Sequence, residues 1–379
     1  MTRRDNPKRL RALAGAALAA GALTLTGTVG AAAQSPRHDD ETSGTFIYTE
    51  DNAAASAGGN AVHAFRLGPG GALAGIGSFA TGGDGSGSGL GSQGAVTLTG
   101  DGHALLAVNA GSNSVTLFRV EESGALTWVA AAPSGGTDPI SIAAYGRLVE
   151  VLNAGSNAVA GLALSGQSLN PISGATAALS AGAAAPVQVG FAPDGKHVVV
   201  AEKVSNTIDT FEVSHDRLVE LQTTASTGAT PFGFDFTRHG DLIVSDAAGG
   251  APGASAATSY RVDDDGGLHP ISEVGNGQSA ACWLVVNRNG TRAYVANTGS
   301  GTVSAYDITG SGKLTLRAGA AATPGGHPID EALGGGWLFV LIGQAIAATP
   351  VLPNGDLGAV TVTGGLPAGT TGLAALALA

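Results

Sequence analysis

An internal repeat of about 47 residues constrains the fold of this 379-residue chain more than any other feature. Seven times, a glycine-containing or polar turn is followed shortly by a leucine, as in GPGGAL, EESGAL and GSGKL. The seven leucines are Leu73, Leu126, Leu169, Leu218, Leu268, Leu314 and Leu357. A fixed period of this length predicts an array of similar supersecondary units.

Two further signals recur out of phase with the leucines and divide each unit into strands. Asp-Gly or Asn-Gly turns precede β-branched runs, as in PDGKHVVVA and RNGTRAYVA, and such turns indicate β-hairpins. A polar residue then ends the second run, as in NAGSN, EKVSN and NTGSG. The residues at this position, called the ring residues below, are Glu50, Asn109, Asn153, Glu202, Asp246 and Asn297. Four antiparallel strands per unit are expected, which is the make-up of one propeller blade.

The sequence therefore predicts an all-β fold, a seven-bladed β-propeller of four-stranded antiparallel blades over residues 44–379. The opening segment SGTFIYTE has no inner strand ahead of it, and the apolar tail LPAGTTGLAALALA has no unit of its own. We expect the C-terminal strand to complete the first blade and close the ring, because closure removes an exposed sheet edge.

The stretch GLGSQG, residues 89–94, fits the G-x-G-x-x-G pattern of a dinucleotide-binding turn. No apolar strand enters it from TGGDGSGS, and the following AVTLTGDGHALLAV is poor helix material. We interpret the stretch as the loop into the second blade, with glycines that let the chain pass close to the crowded axis.

The N-terminus predicts export. A basic segment precedes the apolar run ALAGAALAAGALTLTGTVG, and the small residues ending at Ala33 fit a cleavage site. Residues 1–33 are predicted to be a signal peptide and residues 34–43 a short linker, which gives a secreted protein, extracellular or periplasmic, with no membrane insertion after cleavage. The Arg3-Arg4 pair raises twin-arginine export, but the DNP behind it matches poorly and favours the general secretory route.

The mature chain is acidic and has a single cysteine. Without the leader, 13 Lys and Arg residues stand against 28 Asp and Glu residues, a formal net charge of −15. Nucleic acid, anionic membranes and highly phosphorylated ligands are poor partners for such a surface.

Cys282 allows no intrachain disulfide, and we expect it to be a buried apolar residue. A monomer that binds a small molecule or an extracellular partner protein is expected.

The two faces of a propeller differ in the loops they carry. The turns between first and second strands and between third and fourth strands share one face, called the hairpin face below. The loops after the ring residues, and the junction loops that join consecutive blades, share the opposite, junction face. Propellers bind ligands with loops around the channel mouth, so the site is expected on the junction face.

The ring residues allow two interpretations. Their carboxylate and amide oxygens, converging on an axis, would suit a divalent cation such as calcium. Asn and Asp at strand ends also hydrogen-bond their own turns. Repetition in almost every blade favours the structural interpretation, and no other cofactor is expected.

Two single residues stand out on chemical grounds. His327 suits general acid–base work because its unperturbed pKa of about 6.5 lies near neutrality, and Asp330 and Glu331 follow closely in sequence. A backbone hydrogen bond from a loop histidine is the alternative. Asp235 lies in the apolar run PFGFDF, so we expect it to be buried and hydrogen-bonded to a neighbouring blade.

Three segments carry a resemblance to a known family: APVQVGFAPDGKHVVVAEKVSNTIDTFEV, SQGAVTLTGDGHALLAVNAGSNSVTLFRV and ACWLVVNRNGTRAYVANTGSGTVSAYDI. The chain resembles the seven-bladed β-propeller lactonase family, which includes 6-phosphogluconolactonase-like and carboxymuconate cyclase-like proteins. The resemblance covers residues 44–379 and implies the propeller fold and lactone hydrolysis. Alternatives are a non-catalytic extracellular binding propeller and a metal-dependent lactonase of another propeller type.

The chain departs from that family at the junction loops, where His-Pro recurs in relatives and only His327-Pro328 is present here. Lys203 is almost the only basic residue expected on the junction face, whereas a phosphorylated lactone would need several cations. If the chain shares the family's lactone hydrolysis, this shortage of cations favours a neutral or carboxylate-poor lactone over a phosphorylated one. Within this reading His327 is predicted to be the base and Glu202 to orient it or the water, with Asn109 and Asn153 binding the substrate together with Asp330 and Glu331.

Overall fold

The computed structural model describes residues 44–180 and 185–378 and confirms the predicted architecture. Seven four-stranded antiparallel sheets stand as blades around one axis. The predicted signal peptide and linker lie outside the described residues. Within those residues the helical segments are the single 3-10 turns Ala55–Ala57, Pro69–Gly71 and Ala248–Gly250. No helix there has the length and apolarity needed to cross a bilayer.

The strands of the first half of the chain are β1 (Gly44–Glu50), β2 (Ala61–Leu67), β3 (Leu73–Ala80), β4 (Val96–Leu98), β5 (Ala104–Asn109), β6 (Ser114–Val120), β7 (Leu126–Pro133), β8 (Pro139–Tyr145), β9 (Leu148–Asn153), β10 (Ala158–Ser165), β11 (Ser168–Ala178), β12 (Pro186–Phe191), β13 (His197–Glu202) and β14 (Thr207–Ser214). The second half contributes β15 (Arg217–Ala225), β16 (Pro231–Phe236), β17 (Leu242–Asp246), β18 (Ala256–Val262), β19 (Leu268–Gly275), β20 (Ala281–Val286), β21 (Arg292–Asn297), β22 (Thr302–Ile308), β23 (Leu314–Ala322), β24 (Asp330–Gly334), β25 (Trp337–Leu341), β26 (Ala345–Pro350), β27 (Thr361–Gly364) and β28 (Thr371–Leu378).

The C-terminal strand closes the ring as predicted. Blade 1 has the strand order β28-β1-β2-β3, and β28 pairs antiparallel with β1 in a register that places Phe46 opposite Leu376. Blades 2 to 7 follow in chain order, each from four consecutive strands, beginning with β4, β8, β12, β16, β20 and β24. Blade 1 is therefore built from both ends of the described chain.

The sequence signals fall where the blade pattern requires. The turn leucines Leu73, Leu126, Leu268 and Leu314 begin the fourth strands of their blades, and all four are buried. Each ring residue is the last residue of the second strand of its blade. Cys282 is buried and unpaired, as expected, and burial raises the pKa of its thiol to about 11.

The second strands are buried on both faces because a neighbouring blade covers each side. All six residues of β13 (HVVVAE) are buried, and apolar clusters between adjacent blades join residues such as Val199, Leu242 and Phe234. Burial of apolar surface between blades is the main source of stability.

One charged residue breaks this apolar pattern. Glu150 lies in the middle of β9, with Val149 and Val151 beside it, and its side chain is fully buried. Neither carboxyl oxygen has a hydrogen-bond partner. Desolvation by burial raises the pKa of Glu150 from 4.5 to about 8.

Candidate functional site

The first strand of each blade faces the ring axis and is called the inner strand below; these strands are β28, β4, β8, β12, β16, β20 and β24. Together they enclose a cavity of about 500 Å³ on the axis. Its polar lining side chains are Gln93, Thr97, Tyr145, Gln188, Asp235, Asp330 and Glu331. Its lining contains no Lys, Arg or His, so no side chain there can pair with a phosphate. The cavity is thus acidic and amide-rich.

The junction loop into blade 2 forms the roof of this cavity. The Gln93 side chain crosses the axis to blade 6, where its Nε2 donates to Leu284 O at 2.8 Å and its Oε1 accepts from Leu284 N at 3.2 Å. The Gln93 backbone N–H donates to Val187 O of blade 4 at 3.1 Å, and the Trp283 indole N–H donates to Ser92 O at 2.9 Å. With Gln93 9 % exposed, the axis is closed on the junction face.

Glycines make this crossing sterically feasible. Gly91 (φ 61°) and Gly94 (φ 84°) lie on either side of the crossing residues and hold left-handed conformations that favour glycine. A Cβ at Gly233 in β16 would lie 2.3 Å from Gln93 Oε1, so the side chain passes directly over bare backbone. The interpretation of GLGSQG as a segment that approaches the axis closely is confirmed. The segment also closes the junction-face end of the axis through the Gln93 side chain.

This junction loop is also the longest of those fully described. It spans residues 81–95, whereas blades 3, 5 and 6 are entered by 134–138, 226–230 and 276–280. Its middle is fixed to blade 1 through Asn52, whose Nδ2 donates to Ser86 Oγ at 2.8 Å and whose Oδ1 accepts from Ser86 N at 2.9 Å. The loop is thus anchored at both its outer and its axial part.

The cavity opens toward the hairpin face, where the inner strands end. Apolar side chains surround this opening: Leu98 at the end of β4, Tyr145 at the end of β8, Phe191 at the end of β12 and Leu333 near the end of β24. The rings of Tyr145 and Phe191 pack with centroids 5.7 Å apart, and Tyr145 is 45 % exposed. This opening, surrounded by these four apolar side chains, is called the mouth below.

Between roof and mouth, side chains of one inner strand bond the free backbone edge of the next. Thr97 Oγ1 donates to Ile142 O at 2.8 Å, joining blade 2 to blade 3. Gln188 Nε2 donates to Phe234 O at 2.9 Å while its Oε1 accepts from Phe234 N at 2.7 Å. Each inner strand has an unpaired edge toward the axis, so these bonds satisfy groups that would otherwise need water.

Asp235 in β16 of blade 5 makes the same kind of contact with the next blade. Its Oδ2 accepts from Val286 N of blade 6 at 2.8 Å, and its Oδ1 accepts from Phe236 N at 2.7 Å. The expected hydrogen bond to a neighbouring blade is confirmed. Desolvation raises its pKa to about 6, with the two amide hydrogen bonds opposing the rise. Asp235 is a carboxylate poised near neutrality in a cavity wall.

Asp330 and Glu331 occupy the start of β24 on the same cavity wall, and both are buried. Burial raises the pKa of Asp330 well above its ordinary range, against hydrogen bonds from the Glu331 and Leu373 amides. Burial and the neighbouring Asp330 likewise raise the pKa of Glu331. Burial thus disfavours the ionised form of both groups.

The ring residues do not converge on the axis. Asn109, Asn153 and Glu202 are 0 % exposed. Glu202 Oε2 accepts from Ser205 Oγ and Thr207 Oγ1, both at 2.8 Å, and burial raises its pKa to about 7. These contacts are with the loop and third strand of its own blade, which supports the structural interpretation.

The remaining ring contacts follow the same plan. Asn109 Nδ2 donates to Thr116 Oγ1 at 2.9 Å within its blade. Asn153 Nδ2 donates to Ser134 O at 3.0 Å. Asn60 Nδ2 lies among three oxygens, donating to Glu50 Oε2 (3.1 Å), Val108 O (2.8 Å) and Asn109 Oδ1 (3.1 Å). An amide nitrogen thus lies where a cation would need to be, and the described residues contain no group of three or more His, Cys, Asp or Glu suited to a metal.

His327 lies on an exposed part of the junction loop into blade 7, where its Nδ1 is 3.4 Å from Thr298 O. Glu202 belongs to blade 4, three blades away, and no hydrogen bond or ion pair joins His327 to it. The structure therefore does not bring the predicted base and its predicted partner together.

Sequence reasoning gave no role to His63, which the structure pairs with an acid. His63 Nε2 lies 3.1 Å from Asp51 Oδ2 on the junction side of blade 1. Burial alone would raise the pKa of Asp51, but hydrogen bonds from His63 and from the Ala61 and Ala53 amides outweigh it and lower the pKa. No periodic signal marks this pair, because Asp51 lies in the loop after β1 and His63 lies in β2.

Comparisons with known proteins address the fold and the family. The family model described as "Lactonase, 7-bladed beta-propeller" matches residues 32–172, 165–249 and 246–332, which together run from 32 to 332 without a gap. A search of curated protein sequences finds no significant match.

Solved structures with the same architecture include three bacterial proteins. A provisionally named 6-phosphogluconolactonase from Bacteroides uniformis is 16 % identical with a TM-score of 0.70, covering 87 % of this chain and 99 % of that chain. A protein from Lactobacillus plantarum is 15 % identical with a TM-score of 0.70, covering 88 % and 99 %. A periplasmic gluconolactonase from Pseudomonas aeruginosa is 16 % identical with a TM-score of 0.68, covering 88 % and 100 %. At these identities the likeness shows the fold alone.

Proposed function

The chain belongs to the seven-bladed β-propeller lactonase family, and from this premise we propose that it hydrolyses a non-phosphorylated lactone in the axial cavity. The observation that carries the proposal is one carboxylate with a near-neutral pKa, Asp235, in a closed-ended cavity that lacks any cationic lining residue. A phosphorylated lactone would leave its dianion unpaired there.

Asp235 is proposed as the general base. Its carboxylate takes a proton from a water molecule, whose oxygen attacks the lactone carbonyl carbon and forms a tetrahedral oxyanion. The second N–H of the Gln188 side-chain amide, whose first N–H is bonded to Phe234 O, is a neutral donor in the lining for that oxyanion. The ring C–O bond then breaks, and the alkoxide takes the proton back from Asp235, which yields the hydroxy acid and regenerates the carboxylate.

Two further carboxyl groups in the same wall support this division of roles. Burial raises the pKa of Asp330 and that of Glu331 well above their ordinary range, which favours their protonated forms, whereas two amide hydrogen bonds oppose the rise at Asp235. A cavity whose carboxyl pKa values are pushed apart can hold an acid and a base at one pH. Asp330 and Glu331 retain their proposed role in substrate binding as hydrogen-bond donors.

His327 remains a separate proposal for the base, supported by its imidazole side chain and its position in the His-Pro junction loop. Glu202, Asn109 and Asn153 belong to that same alternative, in which the site lies among the junction loops. The two proposals name different residues, so one set of variants separates them.

A non-catalytic ligand- or protein-binding propeller is the second candidate function. The observation in its favour is that the side chains of Thr97, Gln188 and Asp235 all make hydrogen bonds to neighbouring strands. In that case the cavity polar groups serve the ring, and no lactone would be turned over.

The test is hydrolysis of a panel of uncharged and phosphorylated lactones by the purified protein and three variants, with and without chelator. Asp235→Asn keeps an acceptor for Val286 N and is expected to lower kcat by about 10²- to 10⁴-fold with the fold retained. His327→Ala has His103→Ala, an exposed histidine on the hairpin face, as its matched control.

Each outcome assigns the site differently. Full activity in Asp235→Asn would remove Asp235 as base, and loss in His327→Ala alone would move the site to the junction loops. Activity lost on chelation would favour a metal-dependent lactonase and would revive the calcium interpretation of the ring residues, which their contacts in the structure disfavour. No turnover of any lactone would favour the binding propeller.

Export is proposed on the N-terminal sequence, with cleavage near Ala33 by the general secretory route and a monomeric mature protein. The likeness to a periplasmic gluconolactonase from Pseudomonas aeruginosa supports this localisation. The mass of the mature protein recovered outside the cytoplasm, beside the mass expected for a start at Gln34, tests the cleavage site.

A further inference from the structure

We propose that the ligand of the axial cavity is an uncharged lactone carrying an apolar tail, which enters ring first from the hairpin face. The inference rests on the proposed function, since it names the substrate class of the same site. It follows from three independent features of the cavity: its closed end, its polarity gradient and its charge.

The closed end sets the direction of approach. The segment of Ser92 and Gln93 makes hydrogen bonds to blades 3, 4 and 6, so it cannot leave the axis without breaking several bonds at once. A ligand has no route from the junction face while these bonds persist. The inner-strand ends around Leu98 and Tyr145 provide the opening on the other side.

The polarity of the wall changes along that route. Along β4 the polar Thr97 is followed by Leu98, and along β12 the polar Gln188 is followed by Val189 and Phe191 nearer the hairpin face. Gln93, Gln188, Asp330 and Glu331 therefore lie toward the closed end, Asp235 lies one residue before the end of β16, and apolar side chains surround the opening. A ligand that matches this order has a polar ring at its inner end and an apolar chain at its outer end.

Charge and size complete the description. Carboxyl groups and the absence of any cationic lining residue disfavour a ligand with an anionic group. The volume of about 500 Å³ lies in the range of pockets that hold drug-sized ligands, which a bare five-membered lactone would leave largely unfilled. A tail of several methylenes would occupy the remaining space up to Tyr145 and Phe191.

The test measures binding without hydrolysis, by calorimetric titration of γ-lactams that bear no tail, a butyl tail or a hexyl tail. A lactam keeps the ring and carbonyl of the lactone but resists hydrolysis. Each methylene buried at the mouth is expected to lower Kd by about fourfold. Tyr145→Asp should abolish that dependence on tail length and leave binding of the tail-less lactam unchanged.

Val204→Asp is the matched control, because Val204 is 68 % exposed after ring residue Glu202 on the junction face. Leu98→Asp, at the end of β4 in the blade before that of Tyr145, provides a second mouth variant if Tyr145→Asp is poorly folded. A Kd independent of tail length would overturn the inference. So would a tail dependence lost in Val204→Asp and kept in both mouth variants.

Failure of this inference and failure of the proposed function give different results. Lactones hydrolysed with equal kcat/KM at every tail length would refute the apolar tail of the substrate while leaving the proposed hydrolysis intact. Lactam binding that tightens with tail length, with no hydrolysis of any lactone, would overturn the hydrolase and leave the ligand class.

Discussion

Replacing Glu150 by Gln should make the protein more stable at neutral and alkaline pH while leaving it nearly unchanged in acid. Glu150 is fully buried in β9 and neither carboxyl oxygen has a hydrogen-bond partner. The folded protein therefore holds this group protonated, whereas the unfolded chain ionises it at the ordinary pKa of 4.5. Gln has the same shape and does not titrate.

The magnitude follows from linkage. Because burial raises the folded-state pKa to about 8, the folded state binds more protons between pH 4.5 and pH 8, and stability falls as pH rises through that window. Below pH 4.5 Glu150 is protonated in both states and has no such effect. The free energy of unfolding is lowered by about 1 kcal/mol at pH 5, about 3 kcal/mol at pH 7 and about 4 kcal/mol at pH 8, using about 1.4 kcal/mol per pKa unit.

Urea unfolding of the parent and of Glu150→Gln at pH 5 and pH 8 measures the effect. The free energy of unfolding of the variant, relative to the parent, should rise by about 3 kcal/mol between the two pH values. Glu122→Gln, at an exposed turn residue between β6 and β7, is the control and should show no such rise. A Glu150→Gln difference that is equal at both pH values would refute the assignment of a buried neutral carboxyl.

Three further outcomes are expected. Deleting residues 366–379 removes β28 from blade 1 together with buried Leu366 and Leu373, and should lower the thermal midpoint by more than about 10 °C; a truncated protein as stable as the parent would count against ring closure. Gln93→Ala leaves both polar backbone groups of Leu284 without their partner and should lower the free energy of unfolding by about 1–3 kcal/mol in urea, with Gln167→Ala on an exposed turn as control. If Asp235 is the base, kcat/KM for a lactone should fall about tenfold per pH unit below about pH 6 as the carboxylate is protonated, and a flat acid limb would contradict its role.

The fold was predictable because its signals repeat. A turn leucine begins the fourth strand of several blades, and a polar residue ends the second strand in six, so each instance supports the others. The closing strand was predictable from what was missing, an inner strand ahead of Gly44. These features depend on local turn chemistry, which the sequence displays directly.

The axial site was less predictable because its parts do not repeat. Ser141 and Gln188 hold corresponding inner-strand positions, and Asp235 lies two residues further along its own strand. The three side chains differ in chemistry, but each bonds the backbone edge of the neighbouring inner strand. Loop polarity led to the expectation of an opening on the junction face, whereas the cavity opens on the hairpin face. The junction-face end is closed because the Gln93 side chain hydrogen-bonds the backbone of blade 6. A contact between residues 191 positions apart leaves no periodic signal in one sequence.

The shared first blade also determines the order in which the molecule can be completed. Six blades can form from contiguous segments as each is synthesised, but Gly44 has no partner until Leu378 has been made. Until then the array is an open arc with an unpaired edge at β1, and its last closure is a contact of very high sequence separation, which is slow to form. Such an arc can be extended through a narrow pore more readily than a sealed ring. The same late step makes the finished protein resistant to fraying, because neither end of the propeller can peel away without breaking a blade that both ends share.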